Sequence, residues 1–336
     1  MRARPTACIF AVALAVAGRG AGAAKMAEQD ACAAGDSDGC RAADGSTFGR
    51  ALRARFNLAD GFTNFNHGSF GAVPKDVSAA QHKYLLQCEA RPDRWFRQDY
   101  FACVDEARRK LAAYINAPSV DDVVMVENAS GGVNAVMRSM NWADGGVILY
   151  LSSAYAMVKH TAEWLAATDA AGRVRNIEVQ LGADFPMAGD ASVLAPLKAA
   201  LAEHAGTIRL LVISHITSVP AVTLPVAEIL ALARAAGDIA VLVDGAHALG
   251  QVDIDLQAMG DPDFYVSNAH KWLYAPKGAA FLYVRKDRQL PHFPEPSVIS
   301  SSGKRVCVCV CVCVCVCVCV CVCVCVCVCV CVCVCV

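Results

Sequence analysis

From about Phe48 to Val284 the chain alternates short apolar, β-branched runs with longer amphipathic stretches. No other feature constrains its fold as strongly. The runs Val123–Glu127, Val147–Leu151, Val174–Val179, Ile208–Ser214, Ile239–Val243, Phe264–Ser267 and Ala279–Val284 read as strands. Gly131–Met140, Tyr155–Ala167, Ala191–His204 and Pro225–Ala236 read as the helices between them, preceded by Lys75–Glu89 and Tyr100–Ile115. Pro225 near a helix start, and Gly206 and Gly237 just past helix ends, agree with that parse. Strands spaced by such helices predict an α/β fold: a mostly parallel sheet with helices on both faces.

Two terminal segments stand apart. Val306–Val336, the last 31 residues, alternate Val and Cys without exception. The tract is longer than the ~20 apolar residues that cross a bilayer, and its alternation would also suit a strand. Perfect two-letter alternation is better explained as a translated GT dinucleotide repeat, so membrane association is expected only if the tract is real. It holds fifteen of the 20 Cys and leaves Cys8, Cys32, Cys40, Cys88 and Cys103. These show no CxxC and no zinc-like spacing with His, so no metal site is expected. A net charge of −1 without a Lys/Arg cluster gives no reason to expect nucleic-acid binding. At the other end, Met1–Pro5 is basic, Thr6–Gly18 is apolar and Ala21–Ala23 is small, the layout of a secretory signal or an organellar transit segment.

In open parallel sheets the ligand sits beyond the carboxyl ends of the strands. The residues just past each strand are therefore informative. Asn128-Ala-Ser-Gly-Gly-Val-Asn134 succeeds the first strand and opens a helix. Ser130, Gly131 and Gly132 there could receive an anion or could simply cap the helix. Tyr155 succeeds the second strand and offers either a stacking face or a rim contact. His215 succeeds the fourth and is either a hydrogen-bonded structural residue or a pocket residue. Asp244-Gly-Ala-His247 succeeds the fifth, and a carboxylate there needs a partner. Asn268-Ala-His270-Lys271-Trp272 succeeds the sixth, and a partly buried Lys becomes nucleophilic toward carbonyls. Each sign is ambiguous alone. Together an anion cradle, an aromatic, an acid and a Lys come in the order that pyridoxal phosphate requires.

Asp244-Gly-Ala-His-Ala-Leu-Gly250 and Tyr265-Val-Ser-Asn-Ala-His-Lys-Trp272 resemble the class V aminotransferase family of fold-type I pyridoxal-phosphate enzymes. Asn66-His-Gly-Ser-Phe-Gly-Ala-Val-Pro74 and Ser214-His-Ile-Thr-Ser-Val-Pro220 resemble its isopenicillin N epimerase-like branch, which includes L-cysteine desulfhydrase-like proteins. The resemblance runs from about Leu58 to Ser302. It implies that Lys271 forms the Schiff base and moves the α-proton, and that Asp244 pairs with the pyridine nitrogen. It implies that His247 meets the phenolic oxygen, that Tyr155 stacks on the ring, and that Ser130, Gly131, Asn268 and His270 meet the phosphate. Many relatives have Ser or Thr at the position of Asn268. Asn66, His67 and His215 would border the amino-acid substrate.

The implied activity is epimerisation, transamination or carbon–sulfur cleavage at an amino acid, by a homodimer. The alternative is a truncated, inactive protein that binds the cofactor or a partner. The implied organisation is a targeting segment over 1–24 and a linker over 25–47. A cofactor-binding large domain with an N-terminal arm then spans 48–290. The start of a truncated C-terminal region comes next over 291–305, then the tract over 306–336. The family's small C-terminal domain, with its carboxylate-binding Arg, is expected to be missing.

Overall fold

The apolar runs become strands because β-branched residues favour extended backbone, and the inner ones find cover on both faces. The computed structural model describes residues 50–289. The expected targeting segment, linker, C-terminal region and Val-Cys tract lie outside the described residues. In chain order the main elements are α1 (Lys75–Ala90), α2 (Tyr100–Tyr114), β1 (Val123–Val126) and α3 (Ala129–Ser139). They continue with β2 (Gly146–Leu151), α4 (Ala156–Thr168), β3 (Val174–Val179), α5 (Ala191–Glu203) and β4 (Ile208–Ser214). The last are α6 (Val226–Ala236), β5 (Ala240–Asp244), β6 (Phe264–Asn268) and β7 (Ala280–Val284).

The described residues divide into two units, one formed by 112–268 and 278–289, the other by 50–111 and 269–277. The first unit holds a seven-stranded sheet in the order β1-β7-β6-β5-β4-β2-β3. The strands β3, β2, β4, β5 and β6 are parallel, while β7 runs antiparallel to both β6 and β1. The direction of β1 is therefore that of the parallel set, and six carboxyl ends share one edge. Consecutive positions such as Ile148 and Leu149, or Leu210 and Leu211, point to opposite faces and are all 0% exposed, so both faces of these inner strands are covered. Full burial of such a side chain contributes roughly 1.5–3 kcal/mol. On one face Val133, Val136 and Met137 of α3 and Val158 and Ala162 of α4 join Ile148, Leu210, Leu242, Val266 and Leu282 in one apolar cluster. On α5 and α6, Leu197, Ile229 and Ala233 are equally buried.

The second unit is helical and turn-rich. Pro74 stands at the N-cap of α1 with Asp76 in its first turn, and Pro92 opens a short helical turn. A π-helical turn over Trp95–Asp99 then leads into α2. Trp95 lies between Tyr84 and Tyr100, with ring centroids 6.1 and 6.4 Å away. Among the described residues no helix is long and apolar enough to cross a membrane.

Candidate active site

The sheet unit collects most of the expected residues at the carboxyl ends of its strands. After β1, Asn128 adopts extended backbone and its Oδ1 accepts the Gly131 amide at 2.7 Å, which starts α3. Asn268, the last residue of β6, contributes a second cap: its buried Oδ1 accepts the Ala129 amide at 2.8 Å. The helix N-terminus is thus tied to the sheet by a side chain 139 positions later in the chain. Gly131 and Gly132, expected to act together, do different things. A Cβ on Gly131 would meet only Asn128 Oδ1 at an ordinary 3.6 Å, whereas one on Gly132 would lie 2.6 Å from Val266 Cγ2. Gly132 is therefore a packing glycine that lets α3 approach β6, and the accessible part of the turn consists of the half-buried Ser130 and the exposed Gly131. After β2, Tyr155 stands at the N-cap of α4 with 51% of its surface exposed, an open aromatic face. In the loop before it, Ser153 Oγ is buried without a hydrogen-bond partner among the described residues. Such a hydroxyl costs about 1–3 kcal/mol until a donor or acceptor reaches it.

Asp244 ends β5, only 5% exposed, between Ser214 of β4 and Val266 of β6. Its Oδ1 accepts the Ala246 amide at 3.0 Å, and its carbonyl accepts the His215 amide at 2.9 Å. Beside it lies a buried pair that the sequence does not announce. Tyr265 OH and His215 Nδ1 are 2.7 Å apart, with the rings edge-to-face at 5.9 Å. Burial lowers the His215 pKa to about 4. Burial, and then the Asp244 charge, hold the Tyr265 hydroxyl well above its ordinary value. Both groups are accordingly neutral near pH 7, and one ring nitrogen of His215 is committed to the sheet. The pair depends on Gly245, where a Cβ would collide with the Tyr265 hydroxyl oxygen. In sequence Tyr265 reads as an ordinary strand residue, and the Asp-Gly step at 244–245 is the one signal that a ring packs close by. Ser267 Oγ donates to the Gly245 carbonyl and accepts the Leu249 amide at 3.4 Å, which fixes the turn carrying the partly buried His247.

The second unit collects Asn66, His67, His270 and Lys271. Lys271 is half-buried in a loop closed by the Ala275 amide donating to the Ala269 carbonyl at 3.1 Å. Asn66 is exposed and caps the short turn His67–Phe70, accepting the Ser69 hydroxyl at 2.7 Å. Both ring nitrogens of His67 engage backbone: Nε2 lies 2.9 Å from the Lys271 carbonyl, and Nδ1 accepts the Ala72 amide at 3.1 Å.

Within the sheet unit a buried carboxylate, an exposed aromatic face, a capped helix N-terminus and an unsatisfied buried hydroxyl suit a phosphorylated, planar ring. The second unit carries a half-buried Lys, the residue type that an aldehyde needs. The chain belongs to the class V aminotransferase family, whose model matches residues 65–305. That family is one of fold-type I pyridoxal-phosphate enzymes, and pyridoxal phosphate is its cofactor.

The chain is 34% identical over 247 residues to putative L-cysteine desulfhydrase 1 of Oryza sativa subsp. japonica, covering 70% of this chain and 50% of that protein. It is 30% identical to isopenicillin N epimerase of Streptomyces clavuligerus, covering 70% and 56% of the two chains. The chain thus spans about half the length of the curated relatives it matches. Among solved structures it shares its fold with C-DES carrying glycine covalently linked to its pyridoxal-phosphate cofactor. The TM-score is 0.61 at 22% identity, over 75% of this chain and 66% of that one.

Proposed function

We propose that the protein is a pyridoxal-phosphate enzyme that acts at the α-carbon of a sulfur-bearing amino acid of the cysteine class and cleaves its carbon–sulfur bond. The observation that carries this reading is the buried Asp244 at the end of β5, in the same strand-end series that leads from β6 to Lys271 three residues beyond Asn268. When bound, the cofactor supplies an electron sink for the substrate α-carbon. Asp244 would keep the ring nitrogen protonated. Tyr155 would stack on the ring, and His247 would meet its phenolic oxygen. Ser130, Gly131, Asn268 and His270 would hold the phosphate. Lys271 Nζ would form the covalent link and take the α-proton.

Support for sulfur chemistry comes from the rice desulfhydrase at 34% identity and an Arabidopsis thaliana L-cysteine desulfhydrase at 30%. A homodimer belongs to the same proposal. Its support is the apolar surface of the second unit, where Phe65 is 94% and Phe70 is 74% exposed.

The test is direct. The intact chain, loaded with pyridoxal phosphate and reduced with borohydride, should carry the label on Lys271. It should release sulfide from cysteine faster than it racemises or transaminates other amino acids. A label on a different Lys overturns the site. Racemisation without sulfide replaces the lyase reading by the epimerase one. Cofactor uptake without turnover leaves a binding protein.

A further inference from the structure

The bonds of His67 leave one possible protonation state. The Ala72 N–H can only donate, so Nδ1 must present its lone pair. The Lys271 carbonyl can only accept, so Nε2 must carry the hydrogen. One neutral tautomer satisfies both bonds. The imidazolium cannot, since its Nδ1–H would face the Ala72 N–H. Burial lowers the His67 pKa, the bond to the Lys271 carbonyl partly opposes this, and the Lys277 charge lowers it further.

The surrounding contacts converge on the same few atoms. The imidazole lies 5.0 Å from the Trp272 ring and 4.6 Å from the Tyr274 ring. Gly71 has φ +57°, and a Cβ there would overlap the His270 carbonyl oxygen. Only glycine allows that approach. The Gly71 amide donates to the His67 carbonyl at 2.7 Å, and Lys277 Nζ donates to the Gly71 carbonyl. The Lys271 carbonyl also accepts the Tyr274 amide at 3.2 Å, so two donors hold one oxygen. His67 is separated from Lys271 by 204 positions, so the bond is a tertiary device and not local turn geometry.

We propose that His67 is a positioning residue for Lys271: through its neutral Nε2–H it fixes the peptide from which the reactive side chain departs. A flexible Lys stem can point in many directions, and anchoring the carbonyl of its own residue removes the backbone part of that freedom. This role rests on the proposed function for Lys271, but the clamp itself can be measured without the cofactor.

Three variants separate its parts. His67→Phe keeps a ring against Trp272 and Tyr274 and loses both bonds. His67→Gln keeps a donor at the Nε2 position. His67→Asn keeps an acceptor at the Nδ1 position. In the cofactor-free intact chain, hydrogen exchange of the 269–277 segment should quicken roughly tenfold in H67F and H67N and return toward wild type in H67Q. In the loaded chain, H67F and H67N should lower kcat roughly tenfold with little change in KM and shift the pH midpoint of the bound cofactor's absorbance, and H67Q should restore both. If H67F and H67N match wild type in exchange and in the spectroscopic midpoint, or if H67Q is no better than H67F while all remain folded, the proposal fails. Borohydride labelling of a Lys other than Lys271 in the wild type would instead sink the functional reading and leave the exchange result to judge the clamp alone.

Discussion

The two units hold their candidate site residues by different physics. In the sheet unit Asp244, Asn268 and the turn before α3 are placed by strand ends, and the strands are fixed by register and by a core whose side chains are largely 0% exposed. In the second unit Lys271 is placed by a side chain reaching backbone, a left-handed glycine and a closed loop. The first arrangement is distributed, so a single change acts on the stability of the whole unit. The second is concentrated in a few polar contacts, so a change there acts on local order. Carbanion-stabilising groups need a fixed field, and a group that forms and breaks covalent bonds needs directed freedom. Under the proposed function, which gives the first role to Asp244 and the second to Lys271, the division would match those needs.

Substitutions in the sheet unit put that contrast at risk. The largest effect is expected at the buried carboxylate: Asp244→Ala should cut turnover by roughly 10²–10³-fold in steady-state assays. Undiminished turnover would remove the sheet unit from the chemistry.

The next concerns pH. His215 ordinarily titrates at 6.5 but is held at about 4 by burial. The folded chain therefore binds fewer protons than the unfolded chain between these values. The stabilisation is fully present above pH 6.5 and is lost as pH falls toward 4, amounting to roughly 3 kcal/mol. Urea melts across that range should show the slope, and His215→Phe should flatten it.

Gly245→Ala would push a methyl onto the Tyr265 oxygen, which the sheet holds rigidly, and should cost roughly 2–3 kcal/mol in the same melts. Asn268→Ala removes the cap on the Ala129 amide and should cost about 1 kcal/mol together with some cofactor affinity, read by melts and by absorbance titration. Gly131→Ala, with ordinary space around the new methyl, should change stability by less than about 0.5 kcal/mol. If these sheet substitutions altered exchange only near their own loops, the distinction between distributed and concentrated support would collapse.

Much of the sheet unit is legible in the sequence because period and length report burial directly. Val174–Val179 and Ile208–Ser214 have the bounds expected of them, while the run Ile239–Val243 is shifted by one residue to Ala240–Asp244. The shift has meaning: Asp244 belongs to the strand itself, held by the ladder, and does not merely succeed it. The antiparallel insertion of β7 between β1 and β6 is not legible, since seven similar apolar runs carry no record of which neighbours pair. Lys271, Asp244 and Tyr155 can be picked out by chemistry and resemblance. The engagement of His67 cannot, because nothing local marks a ring whose partner lies about two hundred residues away. Tyr265 is hidden for a different reason: a buried aromatic in a strand looks like core whether or not its hydroxyl is engaged.

At the sheet edge, β1 pairs with β7 alone among the described strands, with Val123 opposite Tyr283, and the helix after β1 is capped by Asn268. During synthesis β1 and the start of α3 emerge early, while the residue that completes the cap emerges 139 positions later. The corner proposed to receive the phosphate is thus capped from β6, the next-to-last of the described strands to be made, and β1 itself pairs with β7, made last. A chain released before β7 would carry every residue of that corner, Asn268 included, and still lack the strand that ties β1 into the sheet, so assembly of the corner should be late, non-local and slow.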